Sequence, residues 1–278
     1  MTGLERIAEA FASARANGRR AALMPYLMGG FPDLDTSRRI GLAYVRAGAD
    51  LIELGVPFSD PLADGPVIHA AATVALRAGV RLPDVLIEVG RPIAEEGVPV
   101  VVMCYANPIL ARGLERFADA LLDAGASGLI VPDLPLEEAP AVLRACDERG
   151  LALVPLVAPT TPEARLAKIG AQARGFVYTV SLTGTTGERT GVQDGLAAMV
   201  ARAAAGTTVP VAVGFGISTP EQAAAAADAG ADGVIVGSRL VREAGQPSED
   251  PAAAVGVLVR ELAAGLAETT VGHGPVNK

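Results

Sequence analysis

The chain has 278 residues, half of them apolar, which is enough for one large hydrophobic core and suits a single α/β domain. Twenty-three basic against 31 acidic residues give a net charge of −8, and no basic cluster stands out, which argues against a nucleic-acid or membrane-surface partner. The N-terminus lacks the basic and apolar run of a secretory signal, and no apolar stretch is long enough to span a bilayer, so a cytoplasmic protein with small-molecule or protein partners is expected.

In chain order, Leu4, Ile7, Ala8 and Phe11 fall at i, i+3, i+4 and i+7, predicting an opening helix ahead of the first strand. A loose repeat follows, in which an alanine-rich helix ends at glycine and a short apolar strand comes next. AGADLIELG, AGASGLIVPDLP and AGADGVIVGS are its clearest copies, with Gly48, Gly125 and Gly230 at the helix ends; Gly97 and Gly150 mark two more. Strands are predicted to begin near residues 21, 50, 98, 128, 151, 175, 209 and 233. Between them, Leu114, Phe117, Ala118 and Leu121 form an apolar stripe opposite Glu115, Arg116, Asp119 and Asp123. Eight parallel strands with crossover helices imply a closed (β/α)8 barrel of the TIM type, with the opening helix as an extra element over its N-terminal end. The second repeat takes 48 residues and the sixth carries a long glycine-rich connection, so insertions are expected after strands 2 and 6. One domain is expected over residues 1–266, and 267–278, without period, reads as a flexible tail. Cys104 and Cys146 lack metal-ligand spacing and read as reduced, partly buried small residues.

In barrels of this kind the chemistry sits on the loops that follow the strands. The stretch ELGVPFSDPLADGP, from Glu53 to Pro66, places two carboxylates there in unlike settings. Strand alternation puts Ile52 and Leu54 on one face and Leu51 and Glu53 on the other, in a strand buried on both sides. A buried glutamate costs several kcal/mol unless it is paired or used, so Glu53 is either a salt-bridge partner or an acid/base. Asp64 lies on a loop punctuated by Pro57, Pro61, Gly65 and Pro66, where the bland reading is a turn residue or the cap of the next helix.

Other strand-end residues are Tyr105 and Asn107 after strand 3, Asp133 after strand 4, Tyr178 and the SLTGTTGERTG segment after strand 6, Gly216 after strand 7, and Gly237 with Ser238 after strand 8. Glycines at the ends of strands 6, 7 and 8, among them Gly184, Gly187, Gly214, Gly216 and Gly237, let backbone N–H groups approach an anion, and a phosphate suits them unless they are simply turns. Lys168 and Lys278, the only lysines, do not sit at strand ends, which disfavours a Schiff-base aldolase. His69 and His273, the only histidines, form no cluster with carboxylates, so no metal site is expected, and no GxGxxG follows a strand.

ELGVPFSDPLADGP, together with MCYAN, VPDLP, SLTGTTG, GFGIS and VGS, closely resembles the tryptophan synthase alpha chain family, in order and at family-like spacing from about Leu4 to Leu266. The resemblance implies a lyase of tryptophan biosynthesis that cleaves indole-3-glycerol phosphate to indole and glyceraldehyde 3-phosphate without a cofactor of its own. It implies a beta chain carrying pyridoxal phosphate as partner, in an alpha2-beta2 heterotetramer. By the same resemblance Glu53 is the general acid/base and Asp64 holds the indole N–H. Tyr178 is an aromatic neighbour of the carboxylates, and the hydroxyl of Thr186 contacts the Asp64 loop on closure. Gly187, Gly216, Gly237 and Ser238 resemble the phosphate ligands, and Tyr26, Tyr105 and Asp133 complete the substrate-binding set. Leu129, Leu156 and Ile235 are expected to be ordinary barrel core. The sequence departs from the family at Tyr26, where phenylalanine is more usual, and at Gly30-Phe31-Pro32, where Gly-Asp-Pro is. A stand-alone lyase releasing free indole and a non-catalytic phosphate-binding scaffold that activates its partner are the alternatives.

Overall fold

The computed structural model describes residues 1–180, 189–214 and 216–267. Nine short parallel strands follow one another: β1 (Ala22–Met28), β2 (Ile52–Gly55), β3 (Val100–Met103), β4 (Gly128–Ile130), β5 (Ala152–Val154), β6 (Leu156–Val157), β7 (Val177–Val180), β8 (Val211–Gly214) and β9 (Gly233–Val236). Their order is β5-β4-β3-β2-β1-β9-β8-β7-β6, so the two ends of the sheet belong to one extended stretch, residues 152–157, and the barrel closes through it. The expected fifth strand is therefore divided in two. Pro155 lies at the break, and proline has no N–H for a ladder. Ala152 to Val154 pair with β4, whereas Leu156 and Val157 pair with β7.

Alternation sorts the strand residues into two layers. Ile52 and Leu54 of β2 and Val100 and Val102 of β3 face outward and pack under the surrounding helices. Leu51, Val101, Ala152 and Ala212 face inward and meet Ile7, Phe11 and Ala14 of the opening helix, Gly3–Ala16, which closes the N-terminal end of the barrel. Phe11 and Phe176 meet there at 5.9 Å between ring centroids, tilted by 56°. A side chain such as Phe11, 5% exposed, contributes roughly 1.5–3 kcal/mol by leaving water. Ala8, expected on the buried stripe, is exposed, and the stripe continues through Ala14 instead. Helices end at Gly48, Gly125 and Gly230 with φ of 91°, 73° and 93°, the left-handed termination that the repeat predicts.

The insertion after β2 carries the helices Pro66–Arg77 and Arg91–Glu95 and a π turn over Val85–Gly90 between them. Ala71 and Ala72 of the first pack on Tyr26 and Met28 at the mouth of β1, together with Val241 from the helix Ser238–Ala244 after β9. That small cluster ties the segment after β2 to the segment after β9 over the open end of the barrel. No helix among the described residues is long and apolar enough to cross a membrane.

Candidate active site

The open, C-terminal end of the barrel holds a cleft of about 860 Å³, within the range of small-molecule sites. Glu53 reaches it from β2. Its neighbours across the ladder are Tyr26 of β1 and Val101 of β3, so the residue sits on a strand paired on both sides. Glu53 is 1% exposed, and it is the one carboxylate among the buried polar side chains described. Both of its oxygens are buried without a hydrogen-bond partner among the described residues, so the salt-bridge reading does not hold there. A buried polar group left unpaired is the exception in folded proteins, and a carboxyl so placed in a cleft is a candidate functional group. Removal from water, and secondarily the negative charge of Asp64, push the Glu53 pKa up to about 8 from 4.5.

Asp64 enters the same cleft from the loop after β2. It does not cap the next helix: Gly65 is the N-cap and offers no side-chain bond, with Pro66 in the first turn. What holds this loop is Tyr105. Its hydroxyl accepts the Ala63 N–H at 3.1 Å, and its ring stacks on Phe58 at 5.2 Å between centroids. Burial raises the Asp64 pKa, while a hydrogen bond from Tyr105 and the charge of His69 work the other way. The two carboxyl groups thus differ: one is fully dry and unpartnered, the other half-buried, its pKa also raised by burial but partly offset by Tyr105 and the charge of His69.

Two more tyrosines complete the floor. Tyr178 of β7 stands across the barrel from Glu53, and burial followed by the charges of Glu53 and Asp64 raises its phenol well above the ordinary value. Tyr26 is raised in the same way, by burial first and then by Asp64 and Glu53. Both rings lean over glycines. A Cβ on Gly55 would meet the Tyr26 hydroxyl at 2.0 Å, and one on Gly214 would meet the Tyr178 ring at 2.5 Å. The phenols have the space they occupy because those two strand-end residues lack side chains.

On the β8 and β9 side the cleft is lined by Gly214, Gly216, Gly237 and Ser238. Gly216 has φ of 60°, and a Cβ there would point into open space rather than into protein. Thr186, Gly187 and Gly184 lie outside the described residues. Tyr105 and Asp133 do not line the cleft. Asp133 is exposed, and its Oδ1 accepts the Ala106 N–H at 2.9 Å at the start of the helix Ala106–Arg112, so it shapes the loop after β3 rather than facing a ligand. The apolar walls, Ile68, Met103, Leu156, Val180, Ile217 and Ile235, were not singled out in sequence, and Leu156 and Ile235 read there as plain core. Strand parity held the signal for one of them, since Met103 pairs with Gly55, two residues beyond Glu53 on the same face. A second cavity, of about 180 Å³, opens between the helices Ala139–Asp147 and Glu163–Gln172; no carboxylate lines it.

The family model "Tryptophan synthase alpha chain" matches residues 11–268. This chain belongs to that family. A tryptophan synthase alpha chain from Synechococcus elongatus is 52% identical over 256 residues, 92% of this chain and 95% of that one. One from Gloeobacter violaceus is 52% identical over 237 residues, covering 85% and 86%. Among solved structures, tryptophan synthase from M. tuberculosis matches with a TM-score of 0.85 at 42% identity, covering 94% of this chain and 98% of that one. The alpha subunit from Legionella pneumophila matches with 0.85 at 38% identity over the same shares. The reaction of the tryptophan synthase alpha chain family is the lyase cleavage of indole-3-glycerol phosphate in tryptophan biosynthesis.

Proposed function

We propose that this alpha chain performs the cleavage in the cleft at the open end of the barrel, with Glu53 as general acid and base and Asp64 as the anchor of the indole ring. The observation that carries the reading is the dry, unpartnered carboxyl of Glu53, held protonated near neutral pH by a pKa of about 8. Glu53 delivers its proton to the indole carbon that bears the glycerol chain. The ring then holds positive charge on its nitrogen, whose N–H faces the Asp64 carboxylate. The bond between ring and glycerol chain breaks, its electron pair returning to the ring. The proton of the glycerol hydroxyl passes to the Glu53 carboxylate, which ends as it began, and indole and glyceraldehyde 3-phosphate leave. Neither an imine nor a metal is needed, because the protonated ring is itself the electron sink.

Tyr26 and Tyr178 flank the ring in this reading, the apolar walls Met103, Leu156 and Ile235 take its carbon face, and Gly216, Gly237 and Ser238 offer the phosphate end a backbone lining. Thr186 and Gly187 are assigned to closure and to the phosphate by the family likeness alone. This chain contributes no cofactor of its own. Pyridoxal phosphate belongs to the beta chain, which takes the indole within an alpha2-beta2 tetramer, and the cytoplasm is the proposed location. Incubating the purified chain with indole-3-glycerol phosphate, with and without beta chain, is expected to release indole slowly alone and faster in the complex. Release by Glu53→Gln at the rate of the unaltered chain would remove the proposal.

A further inference from the structure

Two arginines border the cleft where Ser238 begins the helix Ser238–Ala244, and they differ in how they are engaged. Arg239 is committed: its Nη1 donates to Glu243 Oε2 at 2.6 Å, one turn along the same helix. Arg242 lies one turn beyond Ser238, is exposed, and has no ion-pair partner among the described residues. Among the described residues, the remaining charged side chains lining the cleft are Glu53 and Asp64, both acidic. In a chain of net charge −8, a dianionic substrate entering this cleft meets, among the described residues, one uncommitted cation, and it lines the cleft together with Gly237 and Ser238.

The geometry points to Arg242 as a substrate-binding and orienting residue whose guanidinium takes the phosphate of the substrate at the β8 and β9 side of the cleft. This rests on the proposed substrate, and it adds a charge-assisted contact that backbone N–H groups alone do not supply. A planar guanidinium offers two parallel donors to a phosphate, which fixes orientation as well as affinity. A phosphate held there leaves the glycerol chain to run along the cleft toward the carboxylates that also line it, so the same contact discriminates between the phosphorylated substrate and its unphosphorylated analogue.

The test is calorimetric titration of the full chain with two probes, glycerol 3-phosphate and indole, for the unaltered protein and for Arg242→Gln, Arg242→Lys and Arg239→Gln. Arg242→Gln is expected to weaken glycerol 3-phosphate by about tenfold to a hundredfold, the range of a lost hydrogen bond to a charged group, and to leave indole within about twofold. Arg242→Lys should recover part of the loss, and Arg239→Gln should cost less than Arg242→Gln. The unaltered chain should lose affinity for glycerol 3-phosphate with added salt more steeply than Arg242→Gln does. Unchanged affinity for glycerol 3-phosphate in Arg242→Gln, or an equal loss for indole, would overturn the assignment. If the unaltered chain binds glycerol 3-phosphate through Arg242 yet does not cleave indole-3-glycerol phosphate, the proposed reaction fails and the arginine contact stands.

Discussion

Replacing Glu53 by glutamine separates what this side chain does for chemistry from what it costs the fold. In the native state its pKa lies at about 8, against 4.5 for the free group. Because the folded value is the higher one, stability is fully present below about pH 4.5 and drains away as pH rises toward 8, while the unfolded chain ionises and the folded chain resists. At 1.36 kcal/mol per pH unit, this interval corresponds to a loss of about 5 kcal/mol, complete near pH 8. Glutamine keeps the shape and does not titrate, so whatever its amide costs is constant across the range. The unfolding free energy of Glu53→Gln minus that of the unaltered protein should therefore climb by about 5 kcal/mol between pH 4.5 and 8 and then level off. Urea unfolding at half-unit steps from about pH 4.5 to 9 measures it, since titrating groups remote from Glu53 cancel in the difference. Turnover should move the other way, falling in the variant by roughly a hundredfold to ten-thousandfold, and in the unaltered enzyme as pH passes 8 and the catalytic proton is lost. A stability difference that stays flat with pH would show that Glu53 ionises like an exposed carboxylate and would refute the argument for a stored proton.

Asp64→Asn should lower kcat by about a hundredfold with a smaller effect on KM, because the charge it removes is needed when the ring nitrogen becomes positive; equal losses in binding and turnover would contradict that. Tyr105→Phe removes the acceptor of the Ala63 N–H and the donor to Asp64, so kcat should drop about tenfold with global stability lowered by about 1 kcal/mol, read by steady-state kinetics and urea unfolding. Gly55→Ala puts a methyl 2.0 Å from the Tyr26 hydroxyl, so the ring must shift; an overpacking cost of about 1–3 kcal/mol and weaker substrate binding are expected, and a variant that unfolds and binds as before would show that Tyr26 has room to spare.

The parts of the fold legible in the chain are those governed by short-range periodicity. Alternation of two sent Leu51 and Glu53 inward and Ile52 and Leu54 outward, and the structure has Leu51 in the inner cluster and Ile52 and Leu54 in the outer one. Glycine at the ends of helices marked the repeat, because left-handed backbone is costly for every other residue. The break at Pro155 is not legible in LALVPLV, which reads as one apolar run; only the missing N–H divides it, and the pairing to two different neighbours is a tertiary fact. The bearing of Tyr105 on the Asp64 loop could not be read either, because Ala63 and Tyr105 are 42 residues apart and no local pattern links them. The same holds for Asp133: a strand-end position marked it for the site, but its carboxylate is taken by the Ala106 N–H. Arg242 shows only as a charge on a helix until Val241, its neighbour, is seen to pack at the mouth of β1.

Burial of Glu53 and capture of a dianion are one requirement rather than two. An ionised carboxylate at the bottom of the cleft would repel the incoming phosphate and, with Asp64 close enough to raise its pKa, would place two like charges in a poorly solvated space. Drying the group favours its neutral form at neutral pH, which hides that charge and, in the proposed reaction, stores the proton that the ring carbon receives. Asp64, half-buried and hydrogen-bonded by Tyr105, is the better placed of the two to carry the negative charge, and it is the one that proposed chemistry needs as an anion. In the proposed reaction, the neutral acid, the Asp64 carboxylate and the cation at Arg242 give a molecule with a phosphate at one end and an indole N–H at the other one favourable orientation. The barrel supplies that arrangement because Glu53 and Tyr178 stand on opposite strands while Asp64 and Arg242 come from the segments after β2 and β9, which Tyr26 and Met28 tie together.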